Sequence, residues 1–400
     1  MKKLVNICLI CFIAFAIASC NKNFLNKQSL TEFSTTDEWG DPALAATFIN
    51  GIYNQIPSGP AMDAGNVDEA RSRDQSGFNI NDMLITADDG EWGGWSGNYK
   101  AIRDCNVALE NIAKSSFDAT PIDGVTLKDR MVGEIHFLRA YFYFRLTSYY
   151  GGVPIITNVY GLSDSFKIAS SSYADCIKFI VGDLDSAAAL LPVVQSGAND
   201  GRVTKGASLA LKSRVLLYAA SDLHNPAKNS SLTAGYSHPE LLGYTDGDPV
   251  ARWQAAKDAA KAVIDMGVYS LYKPDPASAE EATQNYGDLF TSTKSVEDIF
   301  VKYSSASTGQ GYYGWVLAPN GWYGNAGVGA ISELVDAYRM ADGSAFSRSI
   351  PAEDAEPYKD RDPRFYASVL FEGNKYRQRP PDMVIYDPIG VGQFGSWEQW

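Results

Sequence analysis

The chain has 400 residues, 45% of them hydrophobic and 20% charged, so it carries enough apolar material for a large packed core and is not disordered. Its 34 basic and 47 acidic residues give a net charge of −13, which excludes the basic face that nucleic-acid binding requires. Three His and five Cys leave little material for a zinc cluster or a disulfide scaffold, whereas 23 Tyr, 18 Phe and 8 Trp leave aromatic side chains to spare for a binding surface.

Residues 1–19 read as an address. Lys2 and Lys3 precede an apolar run from Leu4 to Ile17, too short to span a bilayer comfortably, which ends in Ile17-Ala18-Ser19-Cys20. Small residues directly before a cysteine resemble a bacterial lipobox, so cleavage before Cys20 and its acylation are expected. Acyl chains contribute ~0.8 kcal/mol per buried methylene, and several together hold a protein on a membrane. Cys105 and Cys176 then remain, and both are expected to be buried free thiols.

Residues 20–36 read as a polar tether. Asp41 to Tyr53 predicts the first helix, with Pro42 near its first position. A Gly-, Asp- and Ser-rich stretch, 57–97, has no helical period. Helices are predicted over Asn98–Ile112, Leu127–Tyr149, Tyr173–Leu191, Thr204–Ala220 and Trp253–Met266. The second of these carries Ile135, Leu138, Phe142 and Leu146 at three- and four-residue spacing, and Gly151-Gly152-Val153-Pro154 stops it. In the last, Trp253, Ala256, Ala260 and Val263 form the expected stripe, with Gly267 at the end. The lengths and the small residues at the crossings predict tetratricopeptide-like helical hairpins with divergent repeats. Long irregular segments, about 221–250, 268–330 and 341–400, are expected to hold loops and a few short strands. The organisation expected is one domain over 20–400, with a scaffold at 37–270 and a loop-rich part at 271–400.

Two aromatic clusters are candidates for ligand binding. Asp88-Asp89-Gly90-Glu91-Trp92-Gly93-Gly94-Trp95-Ser96-Gly97-Asn98-Tyr99 places two Trp among glycines. Tyr312-Tyr313-Gly314-Trp315 is followed by Gly321-Trp322-Tyr323-Gly324. Flat aromatic faces bind the apolar faces of sugar rings, and amides bond the hydroxyls. The competing reading is that these rings plug the core. Glu134 and Arg139 read as structural charges paired outside their helix, and Arg361, Asp362 and Arg364 as a fold-fixing group. Asp246-Gly247-Asp248 lacks the rest of a calcium loop and reads as a turn. Nothing in the motifs calls for a cofactor, a metal or a catalytic residue.

Several strings together resemble the SusD/RagB family of Bacteroidetes outer-membrane lipoproteins. They are Gly133-Glu134-Ile135-His136-Phe137-Leu138-Arg139-Ala140-Tyr141-Phe142-Tyr143-Phe144 with Tyr150-Gly151-Gly152-Val153-Pro154, then Gly201-Arg202-Val203-Thr204-Lys205-Gly206-Ala207, Tyr338-Arg339-Met340-Ala341-Asp342-Gly343 and Arg361-Asp362-Pro363-Arg364-Phe365. The resemblance implies a mainly α, SusD-like fold. It implies a non-enzymatic lipoprotein at the outer membrane that captures glycans and hands them to a SusC-like TonB-dependent transporter in nutrient uptake and polysaccharide utilization. Trp95 and Asn98 match an aromatic and an amide of the family's glycan site. With Trp92, Trp315, Trp322 and Tyr323 they form the expected ligand-binding set. Two departures stand out. Family members run on past the region equivalent to Trp400, so a truncated copy is expected, and Asn21-Lys22-Asn23 lacks the acids that often follow a surface-exposed acylated Cys. Two alternatives stay open: a lipoprotein glycoside hydrolase using Asp88, Asp89 or Glu91, and a peptide-binding uptake lipoprotein of the same architecture.

Overall fold

The computed structural model describes residues 39–57, 65, 67–72, 86, 93–117, 119–161, 163–165, 167–225, 228, 230, 234–303 and 327–371. Their order is α1 (Pro42–Asn54), β1 (Ala70–Ser72), α2 (Trp95–Ile112), α3 (Leu127–Tyr150), α4 (Tyr173–Leu190), α5 (Lys205–Ala220), α6 (Pro249–Asp265), α7 (Ala279–Thr291), β2 (Val328–Ala330), α8 (Ser332–Ala337), α9 (Pro351–Ala355) and α10 (Pro363–Ser368). The fold is mainly α, as the periodicity predicts.

Local chemistry sets the helix starts. Thr126, Ser172 and Ser278 each accept the backbone N–H three residues on, which satisfies a donor with no partner inside the helix. Asp41, Asp248 and Asp362 do the same two residues on, each followed by Pro at the first helical position.

Successive helices pack on one another from α1 to α6. The contacts run antiparallel: Leu191 lies against Gly133 while Phe179 meets Tyr143, so α3 and α4 form a hairpin. Lys205 bonds back to Pro192 and Lys212 pairs with Asp185, which makes α4 and α5 the next one. The strands pair antiparallel, Ala70 opposite Ala330.

At the centre is α3, apolar on more than one face. Ile135, Leu138, Phe142 and Leu146 are all buried, joined by Met131, Phe137, Ala140 and Tyr143. Cys105 and Cys176 are buried and free; Val153 packs by its backbone on the Cys176 sulfur.

The short helices α9 and α10 fall in the 341–400 stretch expected to hold loops and strands, and three longer helices also depart from the sequence expectations. Helix α2 begins at Trp95, not Asn98, because Gly94 takes a left-handed turn (φ 61°) and opens the helix there. Helix α6 begins at Pro249, where Asp248 caps it, and its inward stripe is Ala256 and Ala259; Trp253 is 44% exposed and Ala260 is exposed too. Helix α7 falls in the 268–330 stretch expected to be irregular. Ala279, Ala282, Tyr286 and Leu289 carry a helical spacing there, so the period is present in the sequence. The stripe is only partly covered, Asn285 being the one buried residue of the helix, and α7 leans on α10, where Thr283 donates to the Pro363 carbonyl at 3.0 Å.

Two buried ion networks tie the scaffold together. Glu134 sits between Arg130 on its own helix and Arg202 beyond α4, each at 2.7 Å. Asp183 on α4 takes Arg139 Nε and Nη2 at 2.7 and 2.8 Å and His136 Nδ1 at 2.7 Å. Arg139 also donates to Asn106 on α2 at 2.8 Å. Arg361 is buried under the last helices and donates to the carbonyls of Pro357, Val335 and Tyr338. Asp362 caps α10 and holds Arg364.

Candidate functional site

The first turn of α2 is built on the end of α3. Gly93 lies against Tyr149 and Tyr150, and a Cβ there would run into the Tyr150 ring and the Tyr149 Cβ. Asn98 is buried, and its amide donates to the carbonyls of Gly93 and Gly94 at 2.6 and 2.9 Å. Those bonds fold the turn back against the helix and set Trp95 at its first position. The indole is half-buried. It meets Tyr150 edge-on with centroids 5.0 Å apart and Tyr99 at a tilt at 4.9 Å.

Opposite this helix runs the segment 153–160, which leaves α3 after the Gly151-Gly152 stop. Its backbone is pinned from below. Tyr99 donates to the Pro154 carbonyl at 2.8 Å. Tyr143 accepts the Ile156 N–H at 2.7 Å and donates to the Ile156 carbonyl at 3.1 Å, which Asn106 also reaches at 2.9 Å. Burial raises the Tyr99 phenol, with Tyr143 adding to it, so the hydroxyl keeps the proton it donates. Because Asn106 is held by Arg139, the strap is fixed to the same buried network as α2, α3 and α4.

Between strap and helix lies a cavity of about 500 Å³. Trp95, Ser96, Tyr99, Ile102 and Arg103 line it from α2; Pro154, Ile156, Asn158, Tyr160 and Ile168 line it from the strap side. Its size and mixture of aromatic, aliphatic and a few polar groups suit a small organic ligand. The side chains of Arg103 and Asn158 are exposed and make no hydrogen bond or ion pair among the described residues. Among those residues, no group of three or more His, Cys, Asp or Glu could hold a metal ion, and no helix is long and apolar enough to cross a membrane.

Of the sequence-derived candidates, Trp95 lines this cavity and Asn98 lies one turn beneath it with its amide hydrogens committed to the turn. Cys20, Trp92, Trp315, Trp322 and Tyr323 lie outside the described residues, as do Asp88, Asp89 and Glu91. Tyr99 closes the aromatic string singled out in the sequence but was not among the expected ligand-binding set, and Arg103, Asn158 and Tyr160 were not anticipated. The four-residue spacing of Trp95, Tyr99 and Arg103 places them on one face of α2 and could have revealed the first two partners. Nothing local in the sequence announces the strap.

A stack of helical hairpins with a partly aromatic cavity beside a pinned strap suits a ligand-binding scaffold. Known proteins place it more closely. A SusD-like family described as "Starch-binding associating with outer membrane" matches residues 24–217, and the SusD family matches residues 293–395. The chain belongs to the SusD/RagB family. A crystal structure of a SusD-like protein from Bacteroides fragilis NCTC 9343 is 28% identical, with a TM-score of 0.68 over 87% of this chain and 64% of that one. A SusD-like carbohydrate binding protein from the same strain, 23% identical, shares the fold with a TM-score of 0.64 over 84% of this chain and 61% of that one. A SusD-like protein of Formosa agariphila is 29% identical over 156 residues, which is 39% of this chain and 28% of that protein. The chain thus spans less than two thirds of the length of each of these relatives.

Proposed function

We propose that the protein captures glycans at the outer membrane, without cleaving them, and hands them to a SusC-like TonB-dependent transporter. The observation that carries the reading is the cavity at Trp95. Two aromatic rings at 4.9 Å share it with a guanidinium and an amide that no described residue engages, which is what stacking on a sugar ring and bonding its hydroxyls require. Family membership supports the ligand class. The lipobox supports an anchor at Cys20, probed by asking whether Cys20→Ala leaves the membrane fraction. Trp92, Trp315, Trp322 and Tyr323 are proposed to extend the same surface.

The test is a glycan panel run on the purified protein and on Trp95→Ala, with the products analysed. Binding without new reducing ends, weakened in the variant, supports capture. Released reducing ends would move the protein to the hydrolases. Silence toward glycans together with binding of peptides would favour the peptide-uptake reading.

A further inference from the structure

Resting on the glycan-binding reading above, we infer that the Trp95 cavity selects glycans bearing an anionic substituent, with Arg103 as the residue that reads it. Arg103 differs from the arginines that line other cavities of the described residues. Arg202 is held by Glu134 and Asn50, Arg364 by Asp362, and Arg339 donates to the Gly343 carbonyl. Arg103 lines its cavity with no acceptor among the described residues.

Among the described residues that line the cavity there is no Asp or Glu. The adjacent acid on α2, Asp104, is taken by Lys100 and Gln55, each at 3.0 Å. Among the described residues the guanidinium is therefore a local positive charge with no neutralising partner. It stands beside apolar walls of Ile102, Ile156 and Ile168, which concentrate its field. The chain as a whole carries −13 and repels polyanions, so attraction for an acidic sugar must come from such a point.

The geometry suits the task. A guanidinium presents its donors as a planar fork that matches a carboxylate or a sulfate with two parallel hydrogen bonds. Arg103 lies two helical turns from Trp95, so a ring stacked on the indole and Tyr99 can hold its charged group toward the fork. Asn158, across the cavity, offers a neutral amide for a hydroxyl.

The experiment uses the full chain and matched pairs of probes: polygalacturonate and its methyl ester, and a sulfated galactan and its desulfated form. Wild type, Arg103→Gln, Arg103→Lys and Trp95→Ala are compared. Arg103 is exposed, so the Gln and Lys variants should melt as wild type does. The expected result is that wild type binds an anionic probe about tenfold more tightly than its neutralised partner, from the strength of charged hydrogen bonds. Arg103→Gln should close that gap, Arg103→Lys should keep part of it, and added salt should narrow it. Equal binding within each pair, preference for the neutral members, or an equal loss on both members in Arg103→Gln would each overturn the inference. In those cases sensitivity to Trp95→Ala would leave the glycan reading standing. Absence of binding to every probe, in wild type as in Trp95→Ala, would remove the glycan reading and the inference with it.

Discussion

Glu134 and Arg202 stand 68 residues apart in the chain and meet at 2.7 Å in the interior. Glu134 is fully buried, and its other oxygen takes Arg130 at 2.7 Å. The pair clamps the start of α3 to the turn that leads into α5, with Arg202 also lying over the Tyr53 ring of α1. Two of the strings that suggested the family are thus one contact in space.

Removing one partner of such a pair leaves an uncompensated charge out of water. Glu134→Ala should therefore destabilise the fold by ~3–5 kcal/mol. Arg202→Ala should cost less, since Arg130 still serves Glu134. The double variant should fall short of the sum. Urea unfolding of all three, as a double-mutant cycle, measures the coupling.

The second network predicts a pH dependence. Burial alone would raise the Asp183 carboxyl, but hydrogen bonds and charge from Arg139 and His136 outweigh it and hold it below its ordinary value of 3.8. A carboxyl depressed in the folded state adds stability that is fully present above its unfolded value. That stability is lost as the pH falls through the folded value. Asp183→Asn should be destabilised at neutral pH, and its deficit against wild type should shrink as the pH drops below about 4. A deficit independent of pH from 6 to 3 would assign the cost to packing alone.

The sequence disclosed the scaffold more fully than the site, for a physical reason. Helix α3 advertises itself locally: a Thr cap, four apolar residues three or four apart, and a Gly-Gly stop. All four of those residues are buried. That Glu134 and Arg139 pair outside their helix was also legible, but not that their partners are Arg202 and Asp183, because tertiary packing chooses distant partners. Helix α7 was legible too, since Ala279, Ala282, Tyr286 and Leu289 repeat at helical spacing, but the stripe is short, set among Gly and polar residues, and only partly covered by α10. The cavity needs the strap 153–160 to cross α2, and the bonds that place it come from Tyr99, Asn106 and Tyr143. In sequence those three read as ordinary helix residues.

Phe142 is 1% exposed at the centre of α3. Phe142→Ala should cost ~3–5 kcal/mol, through lost burial and the cavity left behind. Phe142→Leu, nearer in volume, should recover much of that. Thermal denaturation of the two variants checks the ordering.

Asn98 separates placement from contact. Its amide holds the Gly93 and Gly94 carbonyls, so Asn98→Ala removes two hydrogen bonds beneath Trp95 and should cost about 1–3 kcal/mol. Glycan affinity should fall too, because the turn that presents the indole loosens. If affinity fell with no change in melting temperature, Asn98 would be touching the glycan directly.

Trp95 is expected to behave as neither a core plug nor a free platform. One side packs edge-on against Tyr150 and the other borders the cavity with Tyr99. Aromatic pairs contribute about 0.5–1.5 kcal/mol each beyond their burial, so Trp95→Ala should destabilise by roughly 1–3 kcal/mol, short of the cost of a fully buried ring. Tyr150 supports the indole without lining the cavity. Tyr150→Ala should therefore weaken glycan binding by letting Trp95 tilt, although it removes no group that a sugar could touch. Trp95→Phe keeps a stacking face of smaller area and should retain part of the affinity. The three variants, compared by glycan titration and by melting, separate the contributions. Equal affinity in Tyr150→Ala and wild type would mean that Tyr99 and the turn alone orient the indole. Full affinity in Trp95→Ala would place the stacking surface elsewhere.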